Sequence, residues 1–333
     1  MMSNGSKPAN GRILVVRLGA LGDIIHALPA VATLKHSFAG GHVTWVVEPR
    51  WAPLLEENPF VDRVVLLRRD SPGGLAASWR DLRAMRYDFA VDFQGLLKSA
   101  LVASAARPQR IYGFHQRQVR ERAAALFYSN KTLSHAAHVV DQNLELAAAA
   151  GAANPVRTFS LPAGRAESEL PVGDFVLASP LAGWRAKQWP LEHYRALAGL
   201  LQRELGVPLV LDGPQEALAT FAGVDAAIAH ASSLAGLIYA TRRAAAVVGV
   251  DSGPLHVAAA LGKPGVAIYG PTDPARNGPY GDSMQVLRSE GVVTTYKRGG
   301  SIDPSMARIS PDEVFEALRT VLGRRTRSAG CTS

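Results

Sequence analysis

A glycine-rich turn, Gly19-Ala20-Leu21-Gly22-Asp23, follows the first apolar run of the chain and precedes a helical pattern. Glycines let a ligand approach the backbone closely, and amides at the start of a helix attract anions or sugar hydroxyls. The fingerprint GxGxxG is absent, so the turn does not indicate a dinucleotide site. Asp23 is either a carboxylate facing a ligand or the N-cap of its helix, and His26 is more typical of a packed histidine than of a catalyst. The turn therefore offers one candidate carboxylate for acid–base chemistry.

A lysine marks a second candidate segment, which begins at Ser179-Pro180 and ends at Lys187-Gln188-Trp189-Pro190. The pattern there is a strand end, a loop and the start of a helix. A lysine beside helix N-termini can neutralise a diphosphate, and the alternative is an ordinary exposed loop lysine. Trp184 and Trp189 either cover a ligand or pack in the core, and the spacing leaves both open.

The third candidate region has the most side chains that could take part in binding or catalysis. Val250-Asp251-Ser252-Gly253-Pro254-Leu255-His256 and Tyr269-Gly270-Pro271-Thr272-Asp273-Pro274 each end a buried strand. Ser252 and Gly253 offer a hydroxyl and amides at a helix start, which predicts a site for a leaving phosphate. A serine hydrolase is disfavoured because GxSxG does not occur around Ser252. Asp251 can instead cap the helix and His256 can be a structural hydrogen bonder. Metal-ligand spacing is absent, so we expect no metal.

Alternating strand and helix patterns must position these segments. Strands are predicted at 13–16, 42–47, 63–67 and 88–92, then at 175–179, 208–211, 245–250 and 265–269, with helices at 23–38, 75–86, 120–128, 138–150, 191–205 and 311–322. Such alternation favours parallel sheets, and the Pro-, Gly- and Ala-rich stretch 151–173 predicts a linker. Open α/β sheets bind ligands at the carboxyl ends of their strands. We therefore expect two doubly wound units with a cleft between them.

Length and charge narrow the class of protein. The 333 residues suggest two domains, and the single cysteine, Cys331, rules out an intramolecular disulfide framework. No stretch is apolar enough to cross a bilayer and no signal peptide is recognisable, so we expect a cytoplasmic protein. Between Phe60 and Lys131 thirteen basic and six acidic side chains supply +7 of the formal +8. Such a local field favours an anionic partner, although a merely solvated basic surface explains it equally well.

The motifs taken together resemble the lipopolysaccharide heptosyltransferases of glycosyltransferase family nine. The resemblance covers residues 11–323 and rests on RILVVRLGALGDIIHALPA, DFQGLLKSA, KQWP, VDSGPLH and YGPTDP; DFQGLLKSA and the segment 120–128 are more similar to heptosyltransferase I than to II. It implies a GT-B fold, with two Rossmann-like domains facing each other across a cleft and a C-terminal helix crossing back to the first. It also implies inverting, metal-independent transfer of L-glycero-D-manno-heptose from ADP-heptose to the 3-deoxy-D-manno-octulosonic acid of the lipid A inner core.

The resemblance also implies roles for particular residues. Asp23 matches the family's proposed general base, and Lys187 matches the lysine that contacts the donor phosphates. The donor site would further include Ser179, Glu216 toward the ribose, Asp251 toward the heptose, Ser252, Gly253, His256 and Thr272. The acceptor would meet Gly19, Gly22, Arg63 and Arg120.

The implied organisation is a disordered tail at 1–11, an acceptor domain at 12–165, a donor domain at 166–310, a crossing helix at 311–323 and a flexible tail at 324–333. Peripheral contact with the inner face of the inner membrane is expected, without nucleic acid, and the oligomeric state is left open. Ser305 stands where many heptosyltransferase II-like members carry a cysteine, and the loop GWRA lacks expected Thr and Asp residues. A heptosyltransferase II-like enzyme, another nucleotide-sugar transferase and a non-enzymatic basic surface protein therefore remain alternatives.

Overall fold

The computed structural model describes residues 11–296 and 298–329, with side chains described as far as residue 323. The chain forms two compact units divided between Pro162 and Ala163. The predicted tails at 1–11 and 324–333 lie mostly outside the described residues. Within that second tail, however, the last helix continues past the predicted end at 323 to Ala329.

Unit one is a six-stranded sheet in the order β3-β2-β1-β4-β5-β6, with every neighbouring pair parallel. Its elements are β1 (Arg12–Val16), α1 (Leu21–Ser37), β2 (His42–Val47), β3 (Arg63–Leu66), α2 (Pro72–Arg83), β4 (Phe89–Asp92), α3 (Leu97–Ala105), β5 (Arg110–Phe114), β6 (Asn130–Thr132) and α4 (Val139–Ala149), with 3₁₀ turns at Pro49–Leu55 and Arg122–Phe127. The predicted helix at 120–128 is thus a 3₁₀ turn. The continuous apolar strands are buried on both faces, as parallel sheets require.

Unit two repeats this organisation with the order β12-β11-β10-β7-β8-β9, again parallel throughout. Its elements are β7 (Val176–Ser179), α5 (Leu191–Leu205), β8 (Leu209–Gly213), α6 (Leu218–Ala222), β9 (Ala227–Ala231), α7 (Leu234–Arg243), β10 (Ala246–Val250), α8 (Gly253–Ala260), β11 (Gly265–Tyr269), α9 (Pro274–Asn277), β12 (Met284–Arg288), α10 (Pro304–Ala307) and α11 (Pro311–Ala329), with 3₁₀ turns at Arg185–Lys187 and Gln215–Ala217. Both sheets have the strand order of doubly wound nucleotide-binding folds.

The predicted linker is held to each unit by its own hydrogen bonds. Thr33 bonds with Val156, and Asn58 donates to the Ser160 carbonyl, which ties the start of the linker to unit one. Arg165 N donates to the Ala235 carbonyl, which ties its end to unit two. The boundary between the two units therefore lies between the linker residues that bond to unit one and those that bond to unit two.

The last helix packs on unit two. Val314, Phe315 and Leu318 of α11 belong to the apolar core that includes Val248 and Ile268 of the sheet. The crossing of this helix to the first domain stays a prediction. In the described part of the chain, no helix is both long and apolar enough to span a membrane.

Candidate active site

The two sheets reverse their strand order at one point each, and most of the predicted residues lie there. In unit one the reversal falls between β1 and β4, and in unit two between β7 and β10. Neighbouring loops leave in opposite directions at such a point, which opens a crevice at the carboxyl ends of the strands. The segments after β1 and β4 in unit one, and after β7 and β10 in unit two, therefore form two candidate sites.

Asp23 lies in the first turn of α1, after β1. The N-cap position is Ala20, so Asp23 is not the N-cap; as the third helical residue it accepts a hydrogen bond from the N-cap amide. Its Oδ2 accepts a long hydrogen bond from the Ala20 amide at 3.3 Å, and the side chain is 25% exposed. A carboxylate that is half-buried at the carboxyl edge and still reached by solvent is suited to meet a ligand.

Two arginines face this carboxylate. Arg17 Nη2 lies 2.7 Å from Asp23 Oδ1, and Arg120 Nη2 lies 3.9 Å from Oδ2. Arg17 is buried and also donates to the Phe93 carbonyl. Burial lowers the pKa of Arg17, while the nearby Asp23 opposes that shift. The buried arginine therefore fixes one carboxylate oxygen, and the exposed Arg120 is the more adjustable partner of the other.

A buried network after β4 supports the loop that precedes Asp23. Asp92 accepts hydrogen bonds from Tyr128 Oη at 2.7 Å and from Ser99 Oγ at 2.8 Å. Burial raises the pKa of Asp92, although the bond from Tyr128 acts against the rise. The next turn supplies Gln94, whose Oε1 accepts from the Leu18 amide at 2.7 Å. This network joins the β4 turn to the β1 loop.

Gly19 lies in the loop before α1 and Gly22 in the first turn of that helix, and their contact with an acceptor stays a prediction. A Cβ at Gly19 would lie 2.6 Å from Nε1 of Trp51, so a side chain does not fit there without displacing the indole. That Nε1 is buried and has no hydrogen-bond partner. The glycine is thus required by the close approach of the tryptophan.

A cationic cluster lies beside this loop. Glu48 follows β2, its amide donates to the Leu18 carbonyl, and its carboxylate pairs with Arg50, Arg69 and Lys98. Burial alone would raise the pKa of Glu48, but Lys98 and Arg69 lower it. Three cations against one carboxylate leave this edge positive, which favours an anionic ligand.

Arg63 does not join these residues. It is the first residue of β3 and donates to the Asp81 carbonyl near the end of α2. The amino end of a parallel strand lies away from the edge that holds Asp23. Its predicted contact with the acceptor is therefore not supported by its position.

In unit two, Asp251 is the centre of the site, directly after β10. Its Oδ2 lies 3.2 Å from Lys187 Nζ, and its Oδ1 lies 3.1 Å from Asn277 Nδ2 and 3.7 Å from His256 Nε2. Burial by itself would raise the pKa of Asp251, but His256, Lys187 and Thr272 lower it to about 2. The carboxylate is therefore ionised and already has partners on both oxygens. It does not cap α8.

The start of α8 offers polar groups that have no protein partner. Ser252 occupies the N-cap position, yet its side chain makes no capping hydrogen bond. Its Oγ is buried without a partner, as is Asn277 Oδ1. Gly253 begins the helix, and the first amides of a helix point outward toward any bound anion. Buried hydroxyls normally have a partner, so this arrangement indicates a ligand position.

Lys187 reaches Asp251 across an aromatic side chain. Its Nζ lies 5.0 Å from the centre of the Trp184 ring, and the Arg298 guanidinium lies 5.6 Å from the same ring. Trp184 is therefore a stacking surface for two cations. Trp189 is fully buried and donates to the Ile309 carbonyl, so it is a packing residue.

The remaining predicted donor residues lie at or after the carboxyl ends of three strands of this sheet. Ser179 ends β7 beside Gly249 of β10, and Thr272 is buried in the loop after β11. Glu216 follows β8 in an exposed 3₁₀ turn, two strands from β10 in the sheet. Ser179 and Thr272 thus lie at the ends of the two strands that neighbour β10, the strand before Asp251, while Glu216 lies farther along the same edge.

Sequence reasoning missed three functional side chains. Arg17 and Asn277 contact the two candidate carboxylates. Asp92 accepts a hydrogen bond from the Gln94 amide and so holds the turn whose Gln94 side chain accepts from Leu18, in the loop before Asp23. A charged residue at the end of an apolar strand was the available signal for Arg17 and Asp92. Asn277 approaches Asp251 only through the tertiary fold. His26 is buried edge-on to His138, as expected of a packed histidine.

Comparisons with known proteins identify the family and the fold of the chain. A family model described as glycosyltransferase family 9 (heptosyltransferase) matches residues 75–301. Lipopolysaccharide heptosyltransferase 1 of Escherichia coli (strain K12) is 31% identical over 300 residues, covering 84% of this chain and 93% of that protein. The solved structure of E. coli heptosyltransferase WaaC with ADP has a TM-score of 0.75 at 28% identity, covering 93% of this chain and 99% of that one. WaaC with ADP-2-deoxy-2-fluoro heptose has a TM-score of 0.71 at the same identity and coverage.

The protein is a glycosyltransferase of the GT-B fold class, built from two doubly wound α/β units. More specifically, the chain belongs to glycosyltransferase family 9, the heptosyltransferases. The resemblance seen in its motifs is thereby confirmed.

Proposed function

We propose that this enzyme transfers L-glycero-D-manno-heptose from ADP-heptose to the 3-deoxy-D-manno-octulosonic acid of the lipid A inner core. The proposal draws on the named activity of the E. coli relative and on the ADP and ADP-heptose analogue bound to WaaC. In this chain it rests chiefly on one observation: Lys187, Asp251 and the partnerless Ser252 hydroxyl converge at the start of α8.

Unit two holds the donor in this proposal. The α8 amides, the Ser252 hydroxyl and the Lys187 ammonium would bind the diphosphate and stabilise the charge that develops on ADP as it leaves. Both Asp251 oxygens are occupied, so Asp251 acts first by orienting Lys187. Glu216 would reach the ribose, with Ser179 and Thr272 as further contacts to phosphate or sugar.

Unit one supplies the base. The acceptor hydroxyl attacks the anomeric carbon of heptose, the bond from that carbon to the β-phosphate oxygen breaks, and its electron pair leaves with ADP. The proton passes to Asp23, and Oδ2 is the better acceptor because Arg17 holds Oδ1. A carboxylate is too weak a base to ionise an alcohol beforehand, so proton transfer accompanies C–O bond formation. Inversion at the anomeric carbon follows from this single displacement.

The acceptor is anionic, and the charges of unit one suit it. Arg120 would contact its acidic groups beside Asp23, and the cluster of Arg50, Arg69 and Lys98 extends the positive edge. The same field would bring the enzyme to the anionic inner face of the inner membrane.

The charge stabilisation that a divalent cation gives other transferases would come from Lys187 and the helix amides. Among the described residues no group of three His, Cys, Asp or Glu side chains is placed to hold a metal ion. We expect full activity in EDTA, and a loss that Mg²⁺ restores would contradict this part of the proposal.

Mass spectrometry of the acceptor tests the proposal. The enzyme is incubated with a deacylated inner-core acceptor and ADP-heptose, GDP-mannose or UDP-glucose. We expect a product one heptose heavier with ADP-heptose alone. Product from another donor would favour a different nucleotide-sugar transferase, and salt-dependent nucleic-acid binding without any product would favour a basic surface protein.

A further inference from the structure

An apolar cavity of about 80 Å³ lies in unit one between the sheet and helices α2 and α3. Val65, Leu67 and Leu82 are buried in its wall, and Leu75 of α2 also lines it and is 40% exposed. Ser78 also lines it, but its hydroxyl already donates to backbone carbonyls. The cavity thus offers almost no hydrogen bonds to a ligand.

The size and the apolar lining of the cavity limit which ligands can enter it. Sites for whole drug-sized ligands occupy about 300–1,000 Å³, so only part of a ligand fits here. A sugar or a phosphate would lose its hydrogen bonds with water and find none inside. The end of a hydrocarbon chain has no such cost and gains from leaving water.

Two cations line the same cavity. Arg69 and Lys98 contribute to its lining, and both also pair with Glu48. They are about half exposed, so their charged ends reach solvent. A group held by them while a chain occupies the cavity must be anionic.

The surroundings are suited to a lipid. Leu97 and Leu101 flank Lys98 on α3 with 38% and 47% exposure, one helical turn apart. The cavity is also near the proposed acceptor site, because the Glu48 amide donates to the Leu18 carbonyl in the loop before Asp23.

We propose that this cavity binds the end of an acyl chain of the acceptor lipid, with Arg69 and Lys98 holding an anionic group of the same molecule. The inference rests on the proposed function for the identity of the lipid. The apolar lining and the cationic residues beside it indicate, without the proposed function, that the ligand is an anionic amphiphile.

A binding measurement tests the proposed acyl-chain site without requiring heptose transfer. Dodecyl phosphate, below its micelle concentration, is titrated calorimetrically into the full chain, with inorganic phosphate as the headgroup control. We expect saturable binding of dodecyl phosphate that Leu75→Trp weakens about tenfold, the effect of losing roughly two buried methylene groups. Arg69→Ala and Lys98→Ala should each weaken it about two- to fivefold, as for exposed ion pairs.

Lys131→Ala, an exposed cation on β6, is the matched control and should leave binding unchanged. Thermal unfolding and ADP affinity of Leu75→Trp establish that this variant is folded. If that folded variant binds dodecyl phosphate as the wild type does, or if inorganic phosphate binds equally well, the proposal is overturned.

Kinetics then separate this inference from the proposed function. We expect a lower KM for an acylated than for a deacylated acceptor. Leu75→Trp should raise the KM for the acylated acceptor and leave the KM for the deacylated acceptor unchanged. Equal KM values, unchanged by the variant, would overturn the acyl-chain site while leaving heptose transfer intact. Tight dodecyl phosphate binding without transfer from ADP-heptose would instead overturn the proposed function.

Discussion

Lys187 Nζ lies 3.2 Å from Asp251 Oδ2, and both side chains are largely buried. The pair joins the turn before α5 to the loop after β10. A buried carboxylate and a buried ammonium each need the other, because an unpaired charge in the interior is strongly unfavourable. When a diphosphate binds, the lysine can be shared between Asp251 and the phosphates without losing its charge partner.

Removing one member of the pair should therefore affect stability and binding differently from removing both. We expect Lys187→Met to lower the free energy of unfolding by about 2–4 kcal/mol, because Asp251 is left without its cation. The double variant Lys187→Met with Asp251→Asn should recover most of that stability. Calorimetric ADP affinity should stay at least about tenfold weaker in both, since the ammonium is absent. Recovered ADP affinity in the double variant would exclude the phosphate role of Lys187.

The loss of stability in acid should also depend on Asp251. The pKa of Asp251 is lowered from 3.8 to about 2 in the folded protein, so its stabilising effect is complete above pH 4 and declines as the pH falls toward 2. That effect amounts to about 2 kcal/mol. In denaturant titrations between pH 5 and 2.5, Asp251→Asn should lose less stability on acidification than the wild type. Asp282→Asn, at an exposed position, should follow the wild type; parallel curves for all three proteins would contradict the assignment.

Ser252 allows binding and stability to be separated. Its hydroxyl is buried without a partner, so Ser252→Ala removes no hydrogen bond from the folded protein. We expect unchanged or slightly higher thermal stability together with ADP affinity weakened about tenfold or more, as for a hydrogen bond to a charged group. Ser233→Ala is a suitable contrast, because Ser233 caps α7 and its loss should reduce stability but not ADP affinity. Equal ADP affinity in Ser252→Ala and the wild type would remove the hydroxyl from the donor site.

Two arginines of unit one should behave oppositely. Arg120 faces Asp23, whereas Arg63 bonds to the Asp81 carbonyl near the end of α2. We expect Arg120→Glu to raise the acceptor KM at least about fivefold with ADP affinity unchanged. Arg63→Glu, with the same change of charge, should leave that KM unchanged. A similar rise in both variants would indicate that only the general charge of the unit matters.

Much of this organisation is predictable because local patterns agree with the tertiary fold. The helix α5 begins after Pro190 and ends at Gly206, which adopts the left-handed conformation that glycine favours at helix ends. Four strands, β5, β6, β9 and β12, were not predicted; of these, β6 and β9 have the sequences NKT and AIAHA, with only short or interrupted apolar patterns. Short polar edge strands depend on their neighbours rather than on their own composition.

Some residues of the candidate sites can likewise be predicted from the sequence, and others cannot. Asp23, Lys187 and Asp251 each follow a strand and lie before the next helix or in its first turn, so their position at a carboxyl edge can be inferred from chain order. Arg63 is the first residue of its strand, at the amino end, so the same rule gives no support to its predicted contact with the acceptor. Asn277 reaches Asp251 across the fold and leaves no local signal.

The most direct test of the central claim is the single-turnover rate of heptose transfer by Asp23→Asn, with saturating ADP-heptose and a deacylated inner-core acceptor. We expect that rate to fall by about 10²- to 10⁴-fold, the usual contribution of a general base, with calorimetric ADP affinity unchanged. Asp70→Asn, at an exposed position of the same unit, should transfer at the wild-type rate. A rate within a few-fold of wild type for Asp23→Asn would show that another group takes the proton.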